Sequence, residues 1–158
     1  MTAPSVLREL LELFKRAEIP VQVRASIAEE LGEARYLPAK EALLAGLAYP
    51  DSAMRCSCIK ALANNWELEE VGPFLVDILL KDEFEFVRVN AACGLGAIRY
   101  KEALQALKQV ILDDSYDMTL RETAYEAVLS ILGRVDEDVL ETGVDKPTPI
   151  DWDLVRNL

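Results

Sequence analysis

Apolar residues recur along the chain at the three- and four-residue spacing of an amphipathic helix. The first such stripe reads Leu7, Leu10, Leu11 and Phe14. Similar stripes predict helices over about residues 4–15, 38–48, 70–80 and 101–112, each with one buried side. No stretch reads convincingly as a strand, so the pattern predicts an all-helical chain.

A second set of helices follows these, and it repeats along the sequence. Its most regular feature is a column of four arginines separated by 31, 33 and 33 residues: Arg24, Arg55, Arg88 and Arg121. Small or apolar residues stand three, four and seven positions after each arginine, on one face of a helix. The seventh position reads Leu31, Leu62, Leu95 and Val128. A period of this length is typical of arrays in which each unit is one hairpin of two helices.

Two residue types predict where the second helices begin and end. Gly32 and Gly96 follow the apolar stripe in the first and third hairpins. We expect them to end their helices in the left-handed conformation. Asp51 and Asp117 stand four residues before the arginines of the second and fourth hairpins. We expect these aspartates to cap the helices that follow.

The units resemble the HEAT repeat, in particular the short bacterial HEAT-like repeat of phycobilisome lyases, over about residues 4–134. The resemblance is carried by the segments VQVRASIAEELGEARYLPAKEAL, PDSAMRCSCIKAL and FEFVRVNAACGLGAIRYKEAL. It implies an all-α right-handed solenoid of about four hairpins, or eight helices. It also implies that each arginine bonds to the preceding turn and to an acid of the next repeat. Pro20 and Phe84 replace the aspartate of the pattern, so we expect those turns to be held differently.

The last part of the chain departs from the repeat. We predict a repeat domain over residues 1–134, then an acidic linker and tail over 135–158. The tail ends in a dense apolar set: Ile150, Trp152, Leu154, Val155 and Leu158. We expect it to fold back and cap the last hairpin, since the terminal repeat of an array must otherwise expose its apolar side. The alternative is a peptide that docks on a partner.

Charge and composition narrow the class of partner. The chain of 158 residues carries a formal net charge of −11, which repels phosphates and argues against nucleic acid. No apolar run approaches the about 20 residues that cross a bilayer, and the N-terminus does not read as a signal peptide. Three cysteines are too few for a disulfide framework. We therefore expect a cytoplasmic protein, monomeric in isolation, that binds no membrane.

Signals for catalysis are weak. The chain has no histidine, which removes the common catalytic triads and the commonest metal ligand. Cys56 and Cys58 are two positions apart on a helix and point in different directions, so they cannot share one metal ion. Cys93 is expected to face solvent beside Lys60, whose charge could lower the pKa of the thiol. We predict no enzyme activity, cofactor or metal.

The candidate binding surface consists of positions two, five and nine after each arginine, which the buried face leaves exposed. In a stacked array these columns form one concave groove. Its candidate residues are Ser26, Glu29, Glu33, Ser57, Lys60, Asn64, Asn90, Cys93, Thr123 and Glu126. Trp66 lies at a corner between helices, where it either plugs the hairpin end or anchors an interface. Trp152 of the tail is a further candidate contact.

These features predict a non-enzymatic protein-binding module that acts through its concave groove on another protein, most simply a basic one. A concrete form is a bacterial immunity or antagonist protein that blocks a basic toxin, a role found in the family. The resemblance also leaves open a bilin chromophore lyase or chaperone subunit. A third alternative is an adaptor subunit of a larger assembly.

Overall fold

The computed structural model describes residues 4–134 and 149–158, and the chain in these two ranges is helical without any strand. The predicted all-α class is therefore confirmed. Within residues 4–134, eight helices of seven or more residues form four hairpins: α1 (Pro4–Lys15) with α2 (Val21–Glu33), α3 (Lys40–Gly46) with α4 (Ser52–Ile59), α5 (Gly72–Lys81) with α6 (Glu85–Ala97), and α7 (Leu104–Leu112) with α8 (Met118–Ile131). A five-residue helix, α9 (Trp152–Arg156), lies near the end.

Short irregular helical segments complete the hairpins. A 3-10 turn leads into each of the first helices from the second hairpin onward: Leu37–Ala39, Glu69–Val71 and Lys101–Ala103. These turns explain why the sequence pattern began helices two to three residues before α3, α5 and α7. A π-helical turn, Lys60–Asn65, continues α4 in the second hairpin.

The core forms along the seam that the periodicity predicts. Every residue three, four or seven positions after an arginine is buried, and the seventh column is fully so. One cluster of buried apolar residues runs through all four hairpins. Each second helix packs on the first helix of its own hairpin and on its neighbouring second helices, whereas the first helices of adjacent hairpins touch far less. The second helices, α2, α4, α6 and α8, therefore form the more closely packed layer of the array, which in a curved stack of hairpins is the inner one.

The predicted role of Gly32 and Gly96 as helix ends is wrong. Both lie inside their helices, which continue to Glu33 and Ala97. In the first three hairpins the positive φ angles fall on non-glycine residues beyond the helix: Arg35 (47°), Glu67 (54°) and Arg99 (50°). In the fourth hairpin a glycine does take this conformation, Gly133 at 69°. The two glycines serve a different need, which is the close approach of neighbouring second helices.

Space, rather than backbone conformation, explains these glycines. A Cβ atom built on Gly32 would lie 2.5 Å from Cβ and 2.7 Å from Cα of Ala61 in the next hairpin. A Cβ on Gly96 would lie 3.0 Å from Cα of Ala127. Real Cβ atoms essentially never show contacts of 2.5 Å. Because residue 32 has no side chain, α2 can approach the π-helical turn that carries Ala61 this closely.

Replacing Gly32 by Ala is expected to lower the free energy of unfolding by about 1–3 kcal/mol, the usual cost of overpacking. Helix propensity alone predicts the opposite sign, because alanine is favoured over glycine by about 1 kcal/mol inside a helix. The overlap should dominate, since it involves the Ala61 backbone. Chemical denaturation followed by circular dichroism measures the difference. An equal or higher stability would show that the helices separate at little cost.

The predicted aspartate caps are confirmed. Asp51 accepts a hydrogen bond from the Met54 amide at 3.1 Å, and Asp117 accepts one from the Thr119 amide at 2.8 Å. In the other two hairpins Pro20 and Phe84 occupy the cap position and provide no side-chain hydrogen bond. These two turns are held differently, as the departures from the pattern predicted.

The four arginines join the start of each second helix to the end of the preceding helix or to the turn that follows it. Nε of Arg24, Arg88 and Arg121 donates to the carbonyls of Phe14, Asp82 and Ile111 at 2.6, 2.5 and 2.9 Å. In the second hairpin, Nη1 of Arg55 donates to two carbonyls of the turn, Tyr49 and Pro50. The expected contact with an acid of the next repeat is found for Arg55, which makes a bidentate pair with Asp82 at 2.8 and 2.9 Å.

An aromatic ring from the following turn covers each guanidinium. The distances from Cζ to the ring centroid are 5.0 Å for Arg24 with Tyr49, 5.9 Å for Arg55 with Phe84, 5.2 Å for Arg88 with Tyr116 and 5.5 Å for Arg121 with Trp152. Such cation–π contacts favour a fixed geometry. The last ring comes from the tail, which therefore supplies the aromatic residue that a fifth hairpin would otherwise provide.

The described part of the tail packs on α7. Val155 of α9 is fully buried. Gln105 Nε2 donates to the Leu158 carbonyl at 3.0 Å, and Lys108 Nζ donates to the Arg156 carbonyl at 2.9 Å. Residues 135–148, most of the predicted acidic linker, lie outside the described ranges. Residues 150–158 thus cover the last hairpin rather than extend from it.

Candidate functional site

The structure sorts the candidate residues by their exposure. On the second-helix layer and the tail, seven are exposed: Ser26, Glu33, Lys60, Asn64, Cys93, Glu126 and Trp152. Three are half-buried: Glu29, Asn90 and Thr123. The remaining two, Ser57 and Trp66, are buried. Ten of the twelve candidates are therefore at least partly accessible, and two lie beneath the surface.

Ser57 and Trp66 act within the fold, which corrects their prediction as contact residues. Ser57 is 5% exposed, and its hydroxyl donates to Glu29 Oε1 at 3.1 Å. Trp66 is 8% exposed, and its Nε1 donates to the Gly32 carbonyl at 2.8 Å. The indole therefore plugs the hairpin corner and also ties the second hairpin to the first. Of the two hypotheses for Trp66, the structure supports the plug.

Three small polar residues of the groove donate hydrogen bonds to their own helices. Ser26, Asn90 and Thr123 each donate to the carbonyl four residues earlier, at 3.2, 2.7 and 2.8 Å. Such back-bonding is a common alternative for short polar side chains in a helix. The surface they form therefore offers a partner mainly acceptor oxygens and aliphatic carbon, and it has fewer available donors than its composition suggests.

The first two hairpins are linked across the groove by one ion pair. Lys60 Nζ lies 3.4 Å from Glu29 Oε2, and both side chains are close to half exposed. Solvent screening limits the stability that such a pair provides. Its main effect is on charge, because it neutralises Lys60 and leaves Glu33 as the exposed charge on this side.

The structure does not support activation of Cys93 by Lys60. Lys60, the expected activating group, is paired with Glu29. Loss of solvent around the sulfur and the nearby Glu126 carboxylate raise the pKa of the Cys93 thiol. Burial also raises the pKa of Cys56 to about 11 and of Cys58 to about 12. All three thiols are protonated at neutral pH, and a protonated thiol is a poor nucleophile.

One exposed residue of the groove was missed in the sequence. Phe86 lies four residues before Asn90 and continues its stripe on α6, and its side chain is 50% exposed. The stripe Phe86, Asn90, Cys93 and Ala97 has no charged residue. The signal was available, because the i, i+4 rule extends the column backward from the arginine as well as forward.

The described residues contain neither a metal-binding cluster nor a membrane-spanning helix. Within residues 4–134 and 149–158, no group of three or more cysteine, aspartate or glutamate side chains is arranged to hold a metal ion. Among the helices of the same ranges, none has the length and hydrophobicity that a bilayer crossing requires.

Comparison with known proteins adds one finding on the family. The family model described as HEAT repeats matches residues 41–128 and again residues 72–149. Together the two matches span residues 41–149, which is more than half of the 158-residue chain. A search of curated proteins returns no match.

Proposed function

The chain belongs to the HEAT repeat family, a fold that generally serves as a protein-interaction scaffold, and we propose that it binds another protein through its second-helix layer without catalysis. The observation that carries this proposal is the uncharged stripe of α6. Phe86, Asn90, Cys93 and Ala97 follow one another along one face of α6, where Asn90 is half-buried and the other three are exposed. An exposed aromatic residue beside small side chains gives a partner both an anchor and room for close approach.

Charge supports a basic partner. The chain carries a net charge of −11, and a complementary potential raises the rate of association and suppresses wrong partners. Glu33 is exposed on the first-hairpin side of the α6 stripe, and Glu122 is half-buried on the fourth-hairpin side. A partner that places apolar atoms on α6 can therefore place basic groups on either side of it.

The concrete form we favour is an antagonist that blocks a basic toxin, because the small size and the acidity of this scaffold suit that role. An adaptor subunit would use the same surface in a larger assembly. Sizing the purified complex distinguishes the two, since an antagonist forms a small complex with its target alone. A lyase that carries a bilin on its own cysteine receives no support from the raised thiol pKa values.

Introducing two arginines into the groove is expected to abolish binding of a basic partner. In the variant Asn64→Arg/Cys93→Arg both changes are at exposed positions, so the fold should be kept. Bulk and like charge should weaken the complex on the order of 100-fold, since like-charge juxtaposition costs several kcal/mol. The measurement is quantitative affinity capture from the native host, followed by the Kd of the purified partner.

The matched control is Glu41→Arg on α3, in the other helix layer. Both variants change the net charge by +2, because two neutral residues become Arg in one and a single Glu becomes Arg in the other. The control should bind like the original chain. Loss of binding in the control alone would place the site on the convex layer and overturn the proposal.

A further inference from the structure

Exposed large apolar side chains concentrate at one edge of the array. Phe84, Phe86 and Met118, here called the apolar edge, are 41, 50 and 50% exposed. All three lie where the second helices of the third and fourth hairpins begin. The rings of Phe84 and Phe86 have centroids 5.7 Å apart. Clustered exposed apolar side chains on a folded chain mark a surface that something else covers.

The two turns that carry this edge lie side by side. The guanidinium of Arg88, at the start of α6, lies 5.2 Å from the ring of Tyr116, which precedes α8. Met118 follows Tyr116 by two residues, and Phe86 precedes Arg88 by two. The starts of α6 and α8 are therefore neighbours, and the apolar edge draws its residues from two adjacent hairpins. Phe86 also belongs to the α6 stripe, so it joins the edge to the groove.

The same turns also carry carboxylates, which fall into two groups. Asp113 and Asp117 accept hydrogen bonds from the amides of Ser115 and Thr119, which explains their presence. A second group is exposed and caps no helix: Glu83, Glu85 and Asp114. No member of this second group forms a salt bridge with a basic residue in the described part of the chain.

The nearby cations do not neutralise these three carboxylates. Arg55 is 8% exposed and is paired with Asp82. Arg88 lies against the ring of Tyr116 and donates to a backbone carbonyl. The apolar edge is thus bordered by exposed negative charge that is available to a ligand.

We propose that the apolar edge docks a basic amphipathic segment of the protein partner. Its apolar residues would cover Phe84, Phe86 and Met118, and its lysines or arginines would face Glu83, Glu85 and Asp114. Basic side chains would also gain from the exposed faces of the two phenylalanine rings. This inference rests on the proposed protein-binding function and extends its surface beyond the concave groove. Nucleic acids and anionic membranes do not fit, because both are negative.

A synthetic peptide tests the edge directly. The probe is a fluorescent helical peptide of about 18 residues, with leucine at i, i+3, i+4 and i+7 and lysine elsewhere. We expect the full chain to bind it in fluorescence anisotropy. Phe86→Ser/Met118→Ser should weaken binding at least about tenfold, the size of a typical anchor truncation. Phe84 is left unchanged because its ring covers Arg55.

A matched control separates docking from general hydrophobic attraction. Phe74→Ser/Val6→Ser removes two side chains that are 56 and 43% exposed on α5 and α1, away from the edge. It should change the affinity less than about twofold, as expected for residues outside an interface. Glu83→Gln/Glu85→Gln/Asp114→Asn should weaken binding and reduce its dependence on salt, because fewer ion pairs are screened.

Several results would overturn the proposal. One is the absence of peptide binding up to about 100 μM, since a Kd above that value is very weak. Another is an equal loss of affinity in the edge variant and its control. A third is self-association of the chain that the edge variant abolishes. The last result would identify a second copy as the occupant. If only Asn64→Arg/Cys93→Arg lost binding, the apolar edge would not be the docking site, and the concave groove would remain as the proposed one.

Discussion

Replacing Arg55 by Ala is expected to lower the free energy of unfolding by about 3–5 kcal/mol, the usual cost of breaking a buried ion pair from one side. The Asp82 carboxylate, whose side chain is 6% exposed, would lose both of its hydrogen bonds to the guanidinium. Two carbonyls of the preceding turn, those of Tyr49 and Pro50, would also lose their donor. Urea denaturation measures the loss.

Two further variants make the Arg55 result specific. Arg121→Ala removes one hydrogen bond to the Ile111 carbonyl and one contact with Trp152, so it should cost only about 1–2 kcal/mol. The double variant Arg55→Ala/Asp82→Ala should recover part of the Arg55 loss, because no unpaired buried charge remains. Equal costs at Arg55 and Arg121 would contradict a special role for the pair.

The arginine column could be predicted from the sequence, but the partner of each arginine could not. The relevant partner is the residue six positions before the next arginine. It is Tyr49 for Arg24, whose Nη1 donates to the phenol oxygen at 2.9 Å, and Asp82 for Arg55. The same position holds Ser115 for Arg88, where no hydrogen bond between the two side chains is found. The repeats thus share a position for a hydrogen-bond acceptor. The residue at that position determines how strongly it binds the arginine.

Helix ends were the part of the fold that the sequence described least well. Glycine is compatible both with a left-handed helix end and with close packing, and these two uses leave the same letter in the sequence. Gly32 and Gly96 serve close packing, while Arg35 and Arg99 take the positive φ angles. Only the position of the neighbouring helix distinguishes the two cases.

Exposure within the groove was predicted at the level of columns, not of single residues. Ser57 belongs to a surface column, yet α2 contributes Glu29 above it and buries it. The π-helical turn Lys60–Asn65 extends the second helix of the second hairpin beyond the length that the repeat pattern predicts. It places Trp66 in the corner between the hairpins. Both outcomes depend on contacts between hairpins, which periodicity within one hairpin does not contain.

Replacing Leu95 by Ala tests the helix register on which the whole surface assignment rests. Leu95 is fully buried at the seventh position of the third hairpin, in the middle of the array. The substitution should cost about 2–5 kcal/mol, because the lost transfer energy adds to that of the cavity left behind. Thermal or chemical denaturation of the full chain provides the measurement.

The control for this variant is Leu132→Ala, at the end of α8, where the side chain is 38% exposed. It should change the stability by no more than about 0.5 kcal/mol, as surface substitutions usually do. If Leu95→Ala cost as little as the control, the buried seam would be on another face of α6. Phe86, Asn90 and Cys93 would then turn away from the groove, and both the concave surface and the apolar edge would lose their basis.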